Sequence, residues 1–245
     1  MRGGQAWGGL FYGFETSCKQ AGKGLVTLAS LGENGEPMSE PKQRRVENSI
    51  MRLALSTTET TLGKNGYYAV MHVAGLDRLL DALPPDNARL ETPGEDFSAL
   101  LNAILNMYGE VSTRGMFRRW GATFGAAAVK RRTGAALLRP LLSFLPLQRR
   151  VRTLLNALVN EANAARGEAL HTLADRRDHY VLTFNDCLYC AGAHPTEPIC
   201  YSVVGTLEAA LKWGTGRDFA VREVKCSARG DAACVFEIDK QPLHV

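Results

Sequence analysis

Hydrophobic periodicity divides the chain into a helical stretch and a strand-rich end. Val46, Ile50, Leu53 and Thr61 form a partial helical stripe over Val46–Leu62, which Gly63 and Gly66 are expected to end. Tyr67–Ala74 and Leu76–Leu83 read as two short helices broken at Gly75, the second closed by Pro84 and Pro85. Asp96–Tyr108 is strongly amphipathic, with Phe97, Leu100, Leu101, Ile104 and Leu105 on one face. Arg114–Arg132 follows with Met116, Phe117, Trp120 and Phe124, and Gly121 and Gly125 on it permit close helix approach. Ala135–Leu145 is almost wholly apolar around Pro140, and Leu147–Ala165 resumes the helical period. Beyond it the period changes to two: Ala169–Ala174 and His179–Asn185 alternate as strands. A helical stripe through Cys200, Val203, Val204, Leu207 and Leu211 comes next, stopped by Gly214 and Gly216. The runs Val221–Cys226 and Ala233–Ile238 then form a last hairpin. The order predicts an α+β fold with helices on one face of a small antiparallel sheet, ending in a hairpin–helix–hairpin unit.

Five of the six cysteines fall in that last unit, between Cys187 and Cys234. With Gly230 as the turn, Cys226 faces Cys234, Val224 faces Phe236 and Arg222 faces Ile238, so two thiols meet on one face of the ribbon. Cys200 lies in the first turn of the preceding helix, on its buried side, where the helix N-terminus favours thiolate over thiol. Three thiolates of a tetrahedral site result, and Glu223 is the nearest fourth ligand. A regular strand points Glu223 and Cys226 to opposite faces, so the carboxylate reaches the site only where the strand is bulged or ends.

The sequence PIC, a helix with an early Gly205, VREVKC and the closing Gly-Asp-x-x-Cys-x-Phe-x-Ile together resemble the 4-vinyl reductase domain family. The likeness is close from Cys187 to Ile238 and looser over the helices from Val46 onward. That family includes a bacteriochlorophyll-biosynthesis protein and the sensor domains of aromatic-responsive transcriptional activators. In its sensor members three cysteines and a glutamate hold zinc, which the resemblance places on Cys200, Glu223, Cys226 and Cys234. Cys187 and Cys190 depart from the sensor pattern. Their Cys-Leu-Tyr-Cys-Ala-Gly run resembles a metal knuckle that competes for the same ion, holds an iron–sulfur cluster with Cys200, or serves as a redox dithiol. Buried structural cysteines are the plainer alternative.

Composition narrows the setting. At 45% hydrophobic and 22% charged residues the chain has ordinary globular character, and no apolar run is long enough to span a membrane. Clustered cysteines point to metal or redox use in a reducing compartment, so a cytoplasmic location is expected. Met1–Arg45 lacks any sustained period and is expected to be a disordered arm, with Met38 resembling an ordinary start. Residues 46–245 are expected to form one domain, helical over 46–166 and metal-stapled over 167–240. Net charge is only +4, yet Val111–Asn160 holds ten Lys or Arg and no acid, which leaves a net of −6 elsewhere.

Three function classes fit. The first is a small-molecule carrier or sensor, with Phe97, Leu101, Met116, Phe117, Trp120 and Phe124 walling a pocket for a tetrapyrrole-like, aromatic or hydrocarbon ligand that carries carboxylates for the basic face. The second is a tetrapyrrole vinyl reductase, which needs an external electron source because no flavin or nicotinamide motif is present. The third is a peripheral membrane or protein-interaction module using the basic stretch. Homodimerisation is compatible with all three. A nucleic-acid partner is not expected, since no docking motif accompanies the charge. His171, His179 and His194 are expected on the surface or in loops, and no catalytic residue is assigned.

Overall fold

The first helix does not stop at Gly63. In the computed structural model, which describes residues 44–131, 140, 142–166 and 169–243, α1 (Asn48–Val73) bends there instead, with φ 72° and ψ 170°. A positive φ with extended ψ is open to glycine at little cost, so the helix breaks for one residue and resumes. The same happens at Gly109 (φ 74°, ψ 163°), which joins the two helices expected around it into α3 (Gly94–Arg131). Gly75 does end α1, and the helix expected after it shrinks to one turn, α2 (Arg78–Asp81). The apolar run Ala135–Leu145 falls mostly outside the described residues. Helix α4 (Leu147–Arg166) follows it.

Two short strands were not anticipated. β1 (Arg45–Glu47) pairs antiparallel with β2 (Leu90–Pro93), so Arg45, assigned to the arm by composition, opens the folded part. The rest of the arm lies outside the described residues, Arg44 excepted. Buried Asn48 ties the pair to α1: its Nδ2 donates to Glu91 Oε2 at 2.7 Å and its Oδ1 accepts from Thr92 Oγ1 at 2.9 Å.

The main sheet contains β3 (His171–Asp175), β4 (His179–Phe184), β5 (Phe219–Lys225) and β6 (Cys234–Pro242), with α5 (Tyr201–Thr215) between the two hairpins. Its order is β3-β4-β6-β5, antiparallel throughout. The α+β class and the hairpin–helix–hairpin unit are therefore as expected. The register of the last hairpin is not. Val221 faces Ile238, Arg222 faces Glu237 and Glu223 faces Phe236, one residue away from the expected pairing. A bulge between Glu223 and Lys225 accounts for the difference, because Val224 is an extra residue on its strand.

Helices α3 and α5 cross at unusually short range. A Cβ on Gly121 would lie 2.0 Å from the Ser202 carbonyl oxygen, and one on Gly205 2.0 Å from that of Arg118. Thr206 Oγ1 donates to the Gly121 carbonyl at 3.1 Å across the crossing. Beneath it Trp120 stacks on Phe124, with centroids 4.9 Å apart, and donates Nε1 to Thr58 Oγ1 at 3.0 Å. Helix α4 packs on β3 and α5, and α5 on β5, so one side of the sheet is covered by helix. Among the described residues no helix is long and apolar enough to cross a membrane.

Candidate functional site

The bulge decides where Glu223 points. Cys234, Phe236 and Ile238 alternate onto the buried face of β6, and each is fully shielded from solvent. Glu223 faces Phe236 and so shares that face, and the extra Val224 brings Cys226 back to it. The condition strand geometry imposed on the fourth ligand is met. Cys200 caps α5 and is also fully buried, and its backbone N–H donates to Glu223 Oε2 at 2.7 Å. Glu223 Oε1 is buried with no hydrogen-bond partner among the described residues. An orphaned carboxylate oxygen beside buried thiols is what a cation would satisfy.

Cys187 and Cys190 enter from the β4–α5 loop. Helix α3 pins that loop, with Ser98 Oγ donating to the Leu188 carbonyl at 2.8 Å and Asn102 Nδ2 to that of Ala191 at 2.9 Å. Cys187 Sγ then lies 3.8 Å from Cys200 Sγ, Cys190 Sγ 3.5 Å from Cys234 Sγ, and Cys200 Sγ 3.9 Å from Cys234 Sγ. All five thiols are buried and free of disulfides. Two overlapping tetrads result: Cys187, Cys190, Cys200 and Cys234, and Cys200, Glu223, Cys226 and Cys234, each with its ligand atoms within 4.8 Å of one another. Either could hold a metal ion.

The packed thiols divide their acidity. Hydrogen bonds from surrounding thiols, Cys187 first, pull Cys234 down to about 4, and Cys190 and Cys200 pull Cys226 down to about 6. Cys190 is pushed up to about 12, chiefly by its contact with Cys187. Cys200 also rises well above its ordinary value, because the neighbouring thiols outweigh the helix N-terminus that was expected to favour its thiolate. Burial, then the nearby Cys226, raises Glu223 to about 8. At pH 7 the metal-free set thus keeps its protons on Glu223 and Cys200, while Cys226 and Cys234 are ionised. Zinc uptake by this set is expected to release about two protons at pH 7 and fewer above pH 8; affinity falls on acidification as Cys226, then Cys234, protonate. Calorimetry in buffers of different ionisation enthalpy measures that count, and a value near zero contradicts the assignment.

A cavity of about 260 Å³ lies beside the thiol cluster. Phe124 and Ala128 of α3, Leu158 of α4, Val203 and Leu207 of α5 and Leu182 of β4 wall it, and the lining is largely apolar. Leu188 and Tyr189, inside the Cys187–Cys190 loop, also line it, so cavity and cluster share a loop as well as α5. Tyr189 packs edge-on against Phe97 at 5.1 Å. His171, expected on the surface, is instead buried in this wall, because it starts the strand under α4. Its ring meets Phe184 edge-on at 4.4 Å, and Asn163 Oδ1 lies 3.1 Å from its Nδ1. His194 is exposed and His179 pairs with Asp178 at 2.7 Å.

Of the six residues proposed for the pocket, Phe124 is in the lining. Phe97, Leu101, Phe117 and Trp120 are buried in the core behind it, and half-buried Met116 packs against that core. Val203, Leu207 and Leu158 were read as core stripes, and nothing in their spacing distinguishes a stripe facing a cavity from one facing side chains. None of the described basic residues of Val111–Asn160 lines the cavity. Arg118 binds Glu208, Arg131 pairs with Asp86, and Arg152 lies 3.6 Å from Asp175.

Comparison with known proteins agrees with this architecture. An uncharacterized protein of Methanocaldococcus jannaschii is 37% identical over 65 residues, 26% of this chain and 36% of that protein. The chain thus spans about a third of that relative. Among solved structures, an H-NOX protein from S. oneidensis in its Fe(II)NO ligation state superposes with a TM-score of 0.52 at 11% identity, covering 81% of this chain and 99% of that one. Fe(II) unliganded H-NOX from K. algicida gives 0.51 at 11% identity, covering 81% and 97%. The phenol-responsive sensory domain of the transcription activator PoxR, with phenol, gives 0.42 at 15% identity, covering 63% and 77%. Residues 180–240, which carry β4, the Cys187–Cys190 loop, α5 and the bulged hairpin, match the family model of the 4-vinyl reductase domain, and over this segment the chain belongs to that family.

Proposed function

We propose that this chain is a sensor or carrier for a small, neutral aromatic or hydrocarbon molecule, held in the cavity beside a structural zinc site. The observation that carries the reading is the largely apolar cavity whose wall, α5, is capped by the buried ligand Cys200. Size limits the ligand. A cavity of about 150 Å³ accommodates one benzene ring, so about 260 Å³ suits one or two rings, whereas a tetrapyrrole needs roughly 600 Å³ on the same scale. Charge limits it too. The charged residues in the lining are Arg45, Glu47 and Glu161, a net acidic set that does not select a carboxylate. Tyr189 offers the phenolic hydroxyl of the wall to a polar substituent.

Zinc is supported by the donor set and its spacing. A zinc–sulfur bond of about 2.3 Å implies tetrahedral edges of about 3.8 Å, close to the separations of 3.5, 3.8 and 3.9 Å between these sulfurs. An iron–sulfur core places sulfides between its irons and spreads its cysteines further apart. When bound, the ion supplies a crosslink between α5 and the last hairpin. Cys200, Glu223, Cys226 and Cys234 would hold it.

Ala128→Leu fills the cavity from α3, at a half-buried position where added bulk is tolerated. Titration of the protein with phenol, naphthalene and toluene, followed by NMR shifts of cavity methyl groups, is expected to saturate at one equivalent for at least one probe. The Ala128→Leu variant should weaken that binding tenfold or more. Absence of saturable binding across the panel, or binding indifferent to the substitution, overturns the reading.

A further inference from the structure

The two tetrads are not merely alternatives. They share Cys200 and Cys234, and they divide the other four ligands without remainder: Cys187 and Cys190 on one side, Glu223 and Cys226 on the other. The shared pair stands 3.9 Å apart, the edge length of a zinc–thiolate tetrahedron, so two tetrahedra can meet on that edge. We propose that the cluster holds two divalent ions, bridged by the thiolates of Cys200 and Cys234.

The outer ligands suit the assignment. Cys190 Sγ lies 3.5 Å from Cys234 and Cys187 Sγ 3.8 Å from Cys200, so each knuckle sulfur sits one tetrahedral edge from a bridging sulfur. Bridging spreads a thiolate's charge over two cations, and Cys234 is supported for it by the Ser227 backbone N–H at 3.3 Å and a contact with Ser227 Oγ at 3.3 Å. On the other side the buried, unpartnered Glu223 Oε1 supplies the single oxygen ligand.

Charge balances as well. One divalent ion on three thiolates and a carboxylate, those of Cys200, Glu223, Cys226 and Cys234, leaves a net of −2. A second ion entering between Cys187, Cys190 and the shared pair adds two positive charges and recruits two further thiolates, so the net stays at −2. The second ion therefore adds a crosslink to the Cys187–Cys190 loop without adding buried charge, which is the cost that would oppose it. Its ligands come from the same loop that supplies Leu188 and Tyr189 to the cavity.

The test uses the full chain carrying Cys18→Ser, which removes the one cysteine outside the cluster, reconstituted anaerobically with zinc and no organic ligand. Native mass spectrometry is expected to show two zinc ions per chain, and X-ray absorption at the zinc edge a short metal–metal scattering shell. Cys187→Ser with Cys190→Ser should reduce the count to one, as should Glu223→Gln with Cys226→Ser. One ion per chain at saturating zinc overturns the proposal, whichever tetrad holds it. So do two ions without the metal–metal shell. Because no ligand is added and the unsubstituted cluster itself gives the decisive count, failure here leaves the cavity reading standing.

Discussion

Cys234→Ser is expected to abolish tight zinc binding and lower the melting temperature by about 10 °C or more. Cys234 belongs to both tetrads, so no rearrangement within the cluster can replace it. Structural zinc contributes folding free energy directly. For a chain of this size each kcal/mol moves the midpoint by about 2–4 °C, so forfeiting even about 4 kcal/mol of metal stabilisation gives a shift of that order. Cys187→Ser is the contrast. It leaves Cys200, Glu223, Cys226 and Cys234 intact, and should retain one ion and most of the stability. Metal analysis and calorimetry on the two variants decide the matter, and a Cys234→Ser protein that keeps tight zinc and its midpoint contradicts the assignment.

Gly205→Ala is expected to destabilise the fold by about 3 kcal/mol or more, against the usual gain of about 1 kcal/mol for replacing a helical glycine. The added methyl would meet the Arg118 carbonyl oxygen at 2.0 Å and the Ala122 nitrogen at 2.9 Å. Both are backbone atoms, so no side chain can swing aside and the helices themselves must part. Gly115→Ala on α3 has nothing within 4 Å of its new methyl and should stabilise slightly. Denaturant unfolding of the pair measures both signs. A neutral Gly205→Ala would mean that the crossing is looser than these distances require.

The same crossing shows what a sequence discloses. Gly121 and Gly125 sit on a strongly patterned helix, and their spacing alone announces close approach. The cysteine spacing likewise brought Cys200, Glu223, Cys226 and Cys234 together before any coordinates. Register was harder. Val224 is a strand-favouring residue in a strand-like run, and nothing local marks it as the extra one; only the pairing with β6 does. β1 and β2 are three and four residues long and include Glu47, Glu91 and Pro93, too short for alternation to rise above noise. The cavity was least legible. Trp120 and Phe124 are four apart on one helix and stack on each other, yet only Phe124 reaches the cavity wall. Which members of a stripe face a void depends on what stands opposite, and that is a property of the assembled fold.

Helix α5 has a consequence beyond holding either site. Its first residue follows the metal ligand Cys200, while Val203, Leu207 and Ala210 along its length line the cavity. Gly121 and Gly205 leave it almost no freedom to rock against α3. A rod fixed in that way transmits a displacement at one end to the other. Any occupant that binds more tightly to one position of the rod must alter metal affinity, and by reciprocity the metal must alter the occupant's affinity by the same factor. Metal dissociation rates measured with and without a cavity ligand would read that factor directly, making the thiolate cluster an internal gauge of whether the cavity is full.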